Sequence, residues 1–402
     1  MRWSCASLVV GACVLACSST PSGVDDTTRG NDAGGGGNDA GGGSLDGDVA
    51  PQGPPAIGFI GRFDTRDPAG PKAAWPGTRI VIRFRGTDVT VRFDDQFDDG
   101  KPGPSEWDAT IDGAVQPKFP LVKGPHDYDV AKGLAPGVHV VELYKRSESQ
   151  VGVTQLLGVD VHGGALLAPP PASDRRVEII GDSAATGFGV DGVGPSCPGA
   201  NDAAMYENFR ESWGATLGTR FAADVHGTTY SGKGLVKDIW RPDTVVMPLL
   251  FPRANPEDDT SIQDLGAWRP HVVVVMIGGN DFDVGLPVDD GPATLDDFTT
   301  AYKTLTTTLR AAYPEAQLFL APSPTLSDDA PAGRASRTNV NAAIASVVAS
   351  RAAAGDPRVH AVEPSLATPA EITGCDGHGG RAFHVRVAGE LAAVIGPSVG
   401  WK

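Results

Sequence analysis

Cysteine is scarce in this chain. Of five in 402 residues, Cys5, Cys13 and Cys17 fall in the first stretch, which leaves only Cys197 and Cys375 for the folded body. Those two can form one bridge if the chain is exported, or remain two buried thiols; sequence separation alone does not decide, because bridge geometry is strict. Basic charge is also short, with 33 Lys and Arg against 49 Asp and Glu and a formal net charge of -16. An acidic surface repels phosphate backbones, which excludes nucleic acid as a natural partner. Long apolar runs are missing: the one candidate, Ala6 to Ala16, falls short of the roughly 20 residues a membrane span needs. The remaining His and Cys form no convincing ligand cluster, so neither metal nor other cofactor is expected. What is present, 41% hydrophobic residues, suffices for one large core and one smaller one. The length suggests two domains plus extras.

The first residues read as an address. Arg2 supplies a positive start, and the Ala6–Ala16 run follows, as in a secretory signal. Val14-Leu15-Ala16-Cys17 resembles a lipobox, with Cys17 as the lipidated residue; Val10-Gly11-Ala12-Cys13 is a second candidate. Residues 1–17 are therefore read as a lipoprotein-type signal, and the product as an exported lipoprotein of the cell envelope, on the outer membrane or cell surface, or else freely secreted. Residues 18–55 are mostly Gly, Asp, Ser, Thr and Pro, with the repeat Gly30-Asn31-Asp32-Ala33-Gly34 and Gly37-Asn38-Asp39-Ala40-Gly41. Such a segment buries no apolar surface and reads as a disordered tether.

Two regions with different periods follow. Residues 56–165 alternate with period two: Arg79-Ile80-Val81-Ile82-Arg83-Phe84 with one lapse at Val81, and Asp88-Val89-Thr90-Val91-Arg92-Phe93 throughout. Strands at short intervals with Gly, Pro and Asp between them predict an antiparallel β-sandwich. Pro169, Pro170 and Pro171 form a stiff connector. Over residues 175–402 the pattern becomes strand and helix by turns. Val177–Ile180, Val272–Ile277, Gln317–Leu320 and Arg358–Val362 read as buried parallel strands, and Leu295–Tyr313, Arg334–Ala353 and Ala382–Val394 as helices. This predicts an α/β/α domain around a parallel sheet, with its active site at the carboxyl ends of the strands.

The motifs fit that rule. Gly181-Asp182-Ser183 follows the first strand directly, where a serine is exposed as a nucleophile. Gly278-Gly279-Asn280-Asp281 follows the Val272–Ile277 strand, and its Asn can donate to a developing oxyanion. Asp376-Gly377-His378 precedes the last helix; His378 would take the proton from Ser183 and Asp376 would fix its tautomer. Tyr230-Ser231-Gly232-Lys233-Gly234 lies between, and a glycine there can offer a backbone N–H as another donor. Gly232 is favoured, with Gly234 left open. Trp213, Trp240, Trp268 and Phe282 could stack on sugar rings, but aromatics more often fill cores, and none is assigned.

Together, Gly-Asp-Ser, a middle glycine, Gly-x-Asn-Asp and a late Asp-x-His resemble the SGNH (GDSL) hydrolase superfamily. Carbohydrate esterase family two is a closer match, joining a small jelly-roll-like β-sandwich to an SGNH domain. Gly61-Arg62-Phe63-Asp64, Trp75-Pro76-Gly77, Phe84-Arg85-Gly86-Thr87, Lys145-Arg146-Ser147-Glu148, Glu207-Asn208, Trp213-Gly214 and Gly374-Cys375-Asp376-Gly377-His378 resemble its segments. The resemblance spans about residues 57 to 398. It implies a serine esterase that removes O-acetyl groups from a polysaccharide of xylan or glucomannan type. It also implies Ser183 as nucleophile, His378 as base, and Asn280, Gly232 and the Ser183 amide at the oxyanion; Asp376 is in support, although some relatives orient the His with a backbone carbonyl instead. The family's Pro after the catalytic His is replaced by Gly379-Gly380, which suggests a looser loop, and the insert Asp191–Asp202 is unusually Gly-rich. The expected partners are an acetylated polysaccharide and, through the lipid anchor alone, a membrane; the expected state is a monomer. Two rival readings stand: a non-catalytic polysaccharide-binding lipoprotein, and an SGNH lipase or thioesterase of broader acyl range.

Overall fold

The computed structural model describes residues 57–98, 102–194, 197, 203–239, 245–282 and 291–402. The chain divides into Met1–Ala50 and a compact unit Pro51–Lys402. The signal, the tether, Cys13 and Cys17 lie outside the described residues, as does Trp240.

The period-two region folds as two antiparallel sheets. One runs in the order Ile57–Ile60, Arg79–Gly86, Gly137–Lys145, Glu106–Ile111, Ala114–Val115. The other runs Phe63–Asp64, Lys72–Ala73, Val153–Val161, Val89–Gln96, Gly124–Ala131. Successive side chains of a strand point to opposite faces. Ile80, Ile82 and Phe84 are accordingly buried beside Val89, Val91, Phe93, Trp107, Val141 and Leu143 in the space between the sheets. Val81, the lapse in the alternation, takes the opposite face and is only half-buried.

The second region is a five-stranded parallel sheet in the order Asp224–Thr229, Arg176–Gly181, Val272–Met276, Gln317–Ala321, Val359–Ala361. By chain position that is 2-1-3-4-5, and ligands bind such sheets at the switch between strands one and three. Val272–Met276 is buried along its whole length, so its residues face two layers. Val273 and Val275 meet Phe298, Tyr302, Leu305, Val340 and Ile344 of helices Leu295–Ala312 and Ser336–Ala353. Val272 and Val274 meet Trp213, Leu217, Phe383, Val387 and Leu391 of helices Trp213–Phe221 and Arg381–Val399. Asp224–Thr229 escapes the sequence reading because DVHGTT contains no apolar run, yet it too is wholly buried. Trp213 and Phe282 prove to be core side chains. Trp268 is half-buried and stacks on His226, their rings 3.4 Å apart.

The sandwich and the parallel sheet pack within one unit. Arg62 of the sandwich forms a buried ion pair with Glu178 of the first parallel strand, and Thr228 Oγ1 donates to the same carboxylate at 2.7 Å. Trp75 Nε1 donates to the Arg253 carbonyl at 3.1 Å, and the Phe209 N–H to that of Arg146 at 3.1 Å. Removing one partner of a buried ion pair costs about 3–5 kcal/mol, so this joint is strongly constrained.

Candidate active site

The sheet register brings the motifs together. Gly181 pairs with Thr229 on one side and with Met276 on the other. The chain leaves these three neighbouring strand ends toward the same edge, carrying Ser183, Gly232 and Asn280 within two to four residues of that row. Gly181 is obligatory, since a Cβ there would overlap the Met276 carbonyl and Ala185. Ser183 opens a single helical turn, Ser183–Thr186, whose first N–H groups are capped by Asp182 Oδ1 through Ala184 N at 3.1 Å.

His378 Nε2 lies 2.8 Å from Ser183 Oγ, within reach of the hydroxyl proton. Phe188 packs on the imidazole, ring centroids 4.7 Å apart. The sequence favours Asp376 as the imidazole's support, with a backbone carbonyl as the alternative; in the structure Nδ1 faces a backbone carbonyl. Nδ1 lies 2.9 Å from the Cys375 carbonyl, which also accepts the His378 N–H at 3.0 Å. Asp376 adopts a left-handed conformation, φ +52°, and is solvent-exposed. A carbonyl acceptor still demands a proton on Nδ1, and so leaves the Nε2 lone pair facing the serine.

Cys375 is itself fixed. It is disulfide-bonded to Cys197, with Cα atoms 5.2 Å apart, and its N–H donates to the Gly189 carbonyl at 3.1 Å. The Gly379-Gly380 pair does not loosen the loop. A Cβ on Gly379 would overlap Phe383 and one on Gly380 would overlap Thr373, so the glycines permit close packing. The Gly374 N–H donates to the His378 carbonyl at 3.0 Å, and the Gly380 N–H to that of Glu371 at 2.8 Å.

The oxyanion side shows why Gly232 and Gly234 differ. Gly234 N–H is already committed to the Lys237 carbonyl at 2.8 Å, and a Cβ there would overlap the Asp281 carboxylate. Gly232 sits at φ +80°, and its N–H meets no partner among the described residues. Asn280 Nδ2 donates to the Lys233 carbonyl at 3.0 Å, which ties the Asn side chain to the Gly232 loop. Asp281 was visible in its motif without a role. Fully buried, it accepts the N–H groups of Leu235, Val236 and Lys237 at 2.9, 2.7 and 3.0 Å, and burial pushes its carboxyl up to about 6. It clamps the loop that carries Gly232 to the helical turn that carries Asn280.

Residues 179–390 match the GDSL-like Lipase/Acylhydrolase family, and residues 59–171 match the Carbohydrate esterase 2 N-terminal family. A solved structure of a family two carbohydrate esterase from Clostridium thermocellum, in complex with cellohexaose, superposes with a TM-score of 0.77 and 30% identity, covering 86% of this chain and 100% of that one. The chain belongs to carbohydrate esterase family two. It is 31% identical over 349 residues to the cellulase/esterase CelE of Acetivibrio thermocellus, 86% of this chain and 40% of that protein. It is also 29% identical over 220 residues to an acetylxylan esterase / glucomannan deacetylase of Cellvibrio japonicus, 53% of this chain and 56% of that protein. The chain thus spans about half the length of these curated relatives, or less.

Proposed function

We propose that this family two esterase hydrolyses O-acetyl esters of polysaccharides, of the xylan or glucomannan class, through an acetyl-enzyme on Ser183. The carrying observation is the 2.8 Å contact of Ser183 Oγ with His378 Nε2 at the switch point of the sheet; the deacetylase relatives support the acyl group and substrate class. Ser183 attacks the acetyl carbonyl while His378 takes its proton. The oxyanion is met by the N–H groups of Ser183 and Gly232 and by the Asn280 side chain. His378 then returns the proton to the departing sugar oxygen, and water releases acetate by the same route.

Purified protein from residue 56 onward is expected to hydrolyse p-nitrophenyl acetate well in preference to the butyrate and octanoate esters, with activity abolished by Ser183→Ala. Preference for octanoate would favour a lipase reading. Binding of glycan without any Ser183-dependent hydrolysis would favour a carbohydrate-binding role.

We further propose export and lipid anchoring at Cys17, supported by the apolar run and the lipobox-like sequence that precede it. Cys17→Ser is expected to move the protein out of the detergent phase of a Triton X-114 partition. Unchanged partitioning would refute anchoring at this residue.

A further inference from the structure

The sandwich reaches into the catalytic edge through a segment for which the sequence offers no role. Lys145, Arg146, Ser147, Glu148 and Ser149 leave the end of the Gly137–Lys145 strand, and every one is buried, with Glu148 at 0% exposure. A carboxylate at such a depth is retained only where it is hydrogen-bonded. Glu148 Oε1 accepts from Gln150 Nε2 at 2.8 Å, and Oε2 accepts the backbone N–H of Ser231 at 2.6 Å. Ser231 immediately precedes Gly232. The Tyr230–Gly232 turn therefore has two links to the sandwich. One is Glu148 itself. The other runs through Glu257 of the α/β domain, whose carboxylate accepts from both Tyr230 Oη at 2.7 Å and the sandwich's Ser149 Oγ at 3.1 Å. On the opposite side the turn is tied to the nucleophile's own strand, since Tyr230 N–H donates to the Gly181 carbonyl at 3.0 Å.

We propose that Glu148, a side chain of the β-sandwich, is a positioning residue for the esterase reaction: by holding the Ser231 N–H it aims the adjacent Gly232 N–H at the oxyanion. The inference rests on the reading that Gly232 supplies an oxyanion donor. It makes the sandwich a working part of the active site rather than only an appended support. Glu207 lies buried beside it, with Oε1 unpartnered among the described residues. Burial raises both carboxyls, and the charge of Glu148 raises Glu207 further. A glutamine keeps one carbonyl oxygen able to accept the Ser231 N–H, which is why an amide should substitute for the acid.

The test compares Glu148→Ala and Glu148→Gln with the unaltered protein on p-nitrophenyl acetate, reading kcat, KM and the thermal unfolding midpoint. A small misplacement of a catalytic group costs up to about 100-fold. Glu148→Ala is accordingly expected to lose about 10- to 100-fold in kcat, with KM changed less than about threefold. Glu148→Gln is expected to restore most of it. Should the Ala variant fail to fold, Glu148→Asp withdraws the acceptor by one methylene and carries the same expectation. The proposal is overturned if the folded Ala or Asp variant keeps kcat within threefold, if the loss falls on KM, or if Gln rescues nothing. A Ser183→Ala control that remains as active as the parent would sink the nucleophile reading instead, so the two failures are distinguishable.

Discussion

His378→Ala is expected to lower kcat by about 10,000- to 1,000,000-fold, while Asp376→Asn leaves it within about threefold. The contrast follows from the site's geometry. Among the described residues His378 is the imidazole that meets Ser183 Oγ, and it is the base proposed for that hydroxyl. Asp376 is solvent-exposed with a left-handed backbone, and Nδ1 is held by the Cys375 carbonyl instead. In a Ser-His-Asp enzyme, losing the Asp costs about 10,000-fold, so the two arrangements differ by several orders of magnitude in this single variant. The sign of the pH dependence follows too. Neutral imidazole is the base, so kcat/KM should fall on the acid side, as His378 takes up a proton. Asp376→Asn should leave that limb in place. A flat profile from about pH 5 to 8 would remove His378 from the role, and a collapse of activity in Asp376→Asn would restore the carboxylate to it.

Asn280→Ala carries the second large effect, a loss of about 100- to 1000-fold in kcat, or about 2.7–4 kcal/mol of transition-state stabilisation. KM should change little, because the carbonyl oxygen gains its charge only as Ser183 attacks. Asn280 has a further duty, donating to the Lys233 carbonyl next to Gly232. Asn280→Asp removes the donor while keeping the size, and should be no better than Ala. A variant at this position with normal kcat and raised KM would mean that Asn280 binds substrate rather than the oxyanion.

The residues proposed for the chemistry were legible because each motif abuts a recognisable strand or helix. Val177–Ile180 announces Ser183, the valine run from Val272 announces Asn280, and the helix that begins at Arg381 follows His378. The legible part reflects local rules: an apolar run is a buried strand, and a Gly-Asp-Ser at its end is a turn that exposes a hydroxyl. The strand Asp224–Thr229 obeys no such rule. Two of its residues fit the interior because Glu178 accepts from Thr228 and the Phe209 ring fills the space a Cβ at Gly227 would need.

The sequence by itself determined the two periodicities, hence a sandwich followed by an α/β/α domain, and the identities of the serine, asparagine and histidine. Only the tertiary structure decided what holds them: the Cys375 carbonyl over the nearby Asp376, Gly232 over Gly234, and the reach of Glu148 from one region into the active edge of the other. The physical reason is that a side chain's chemical type is local, whereas its hydrogen-bond partner depends on backbone direction and on segments distant in the chain. Nδ1 of His378 met a backbone carbonyl that the side-chain sequence does not show, and a chain separation of 83 residues concealed the Glu148–Ser231 bond.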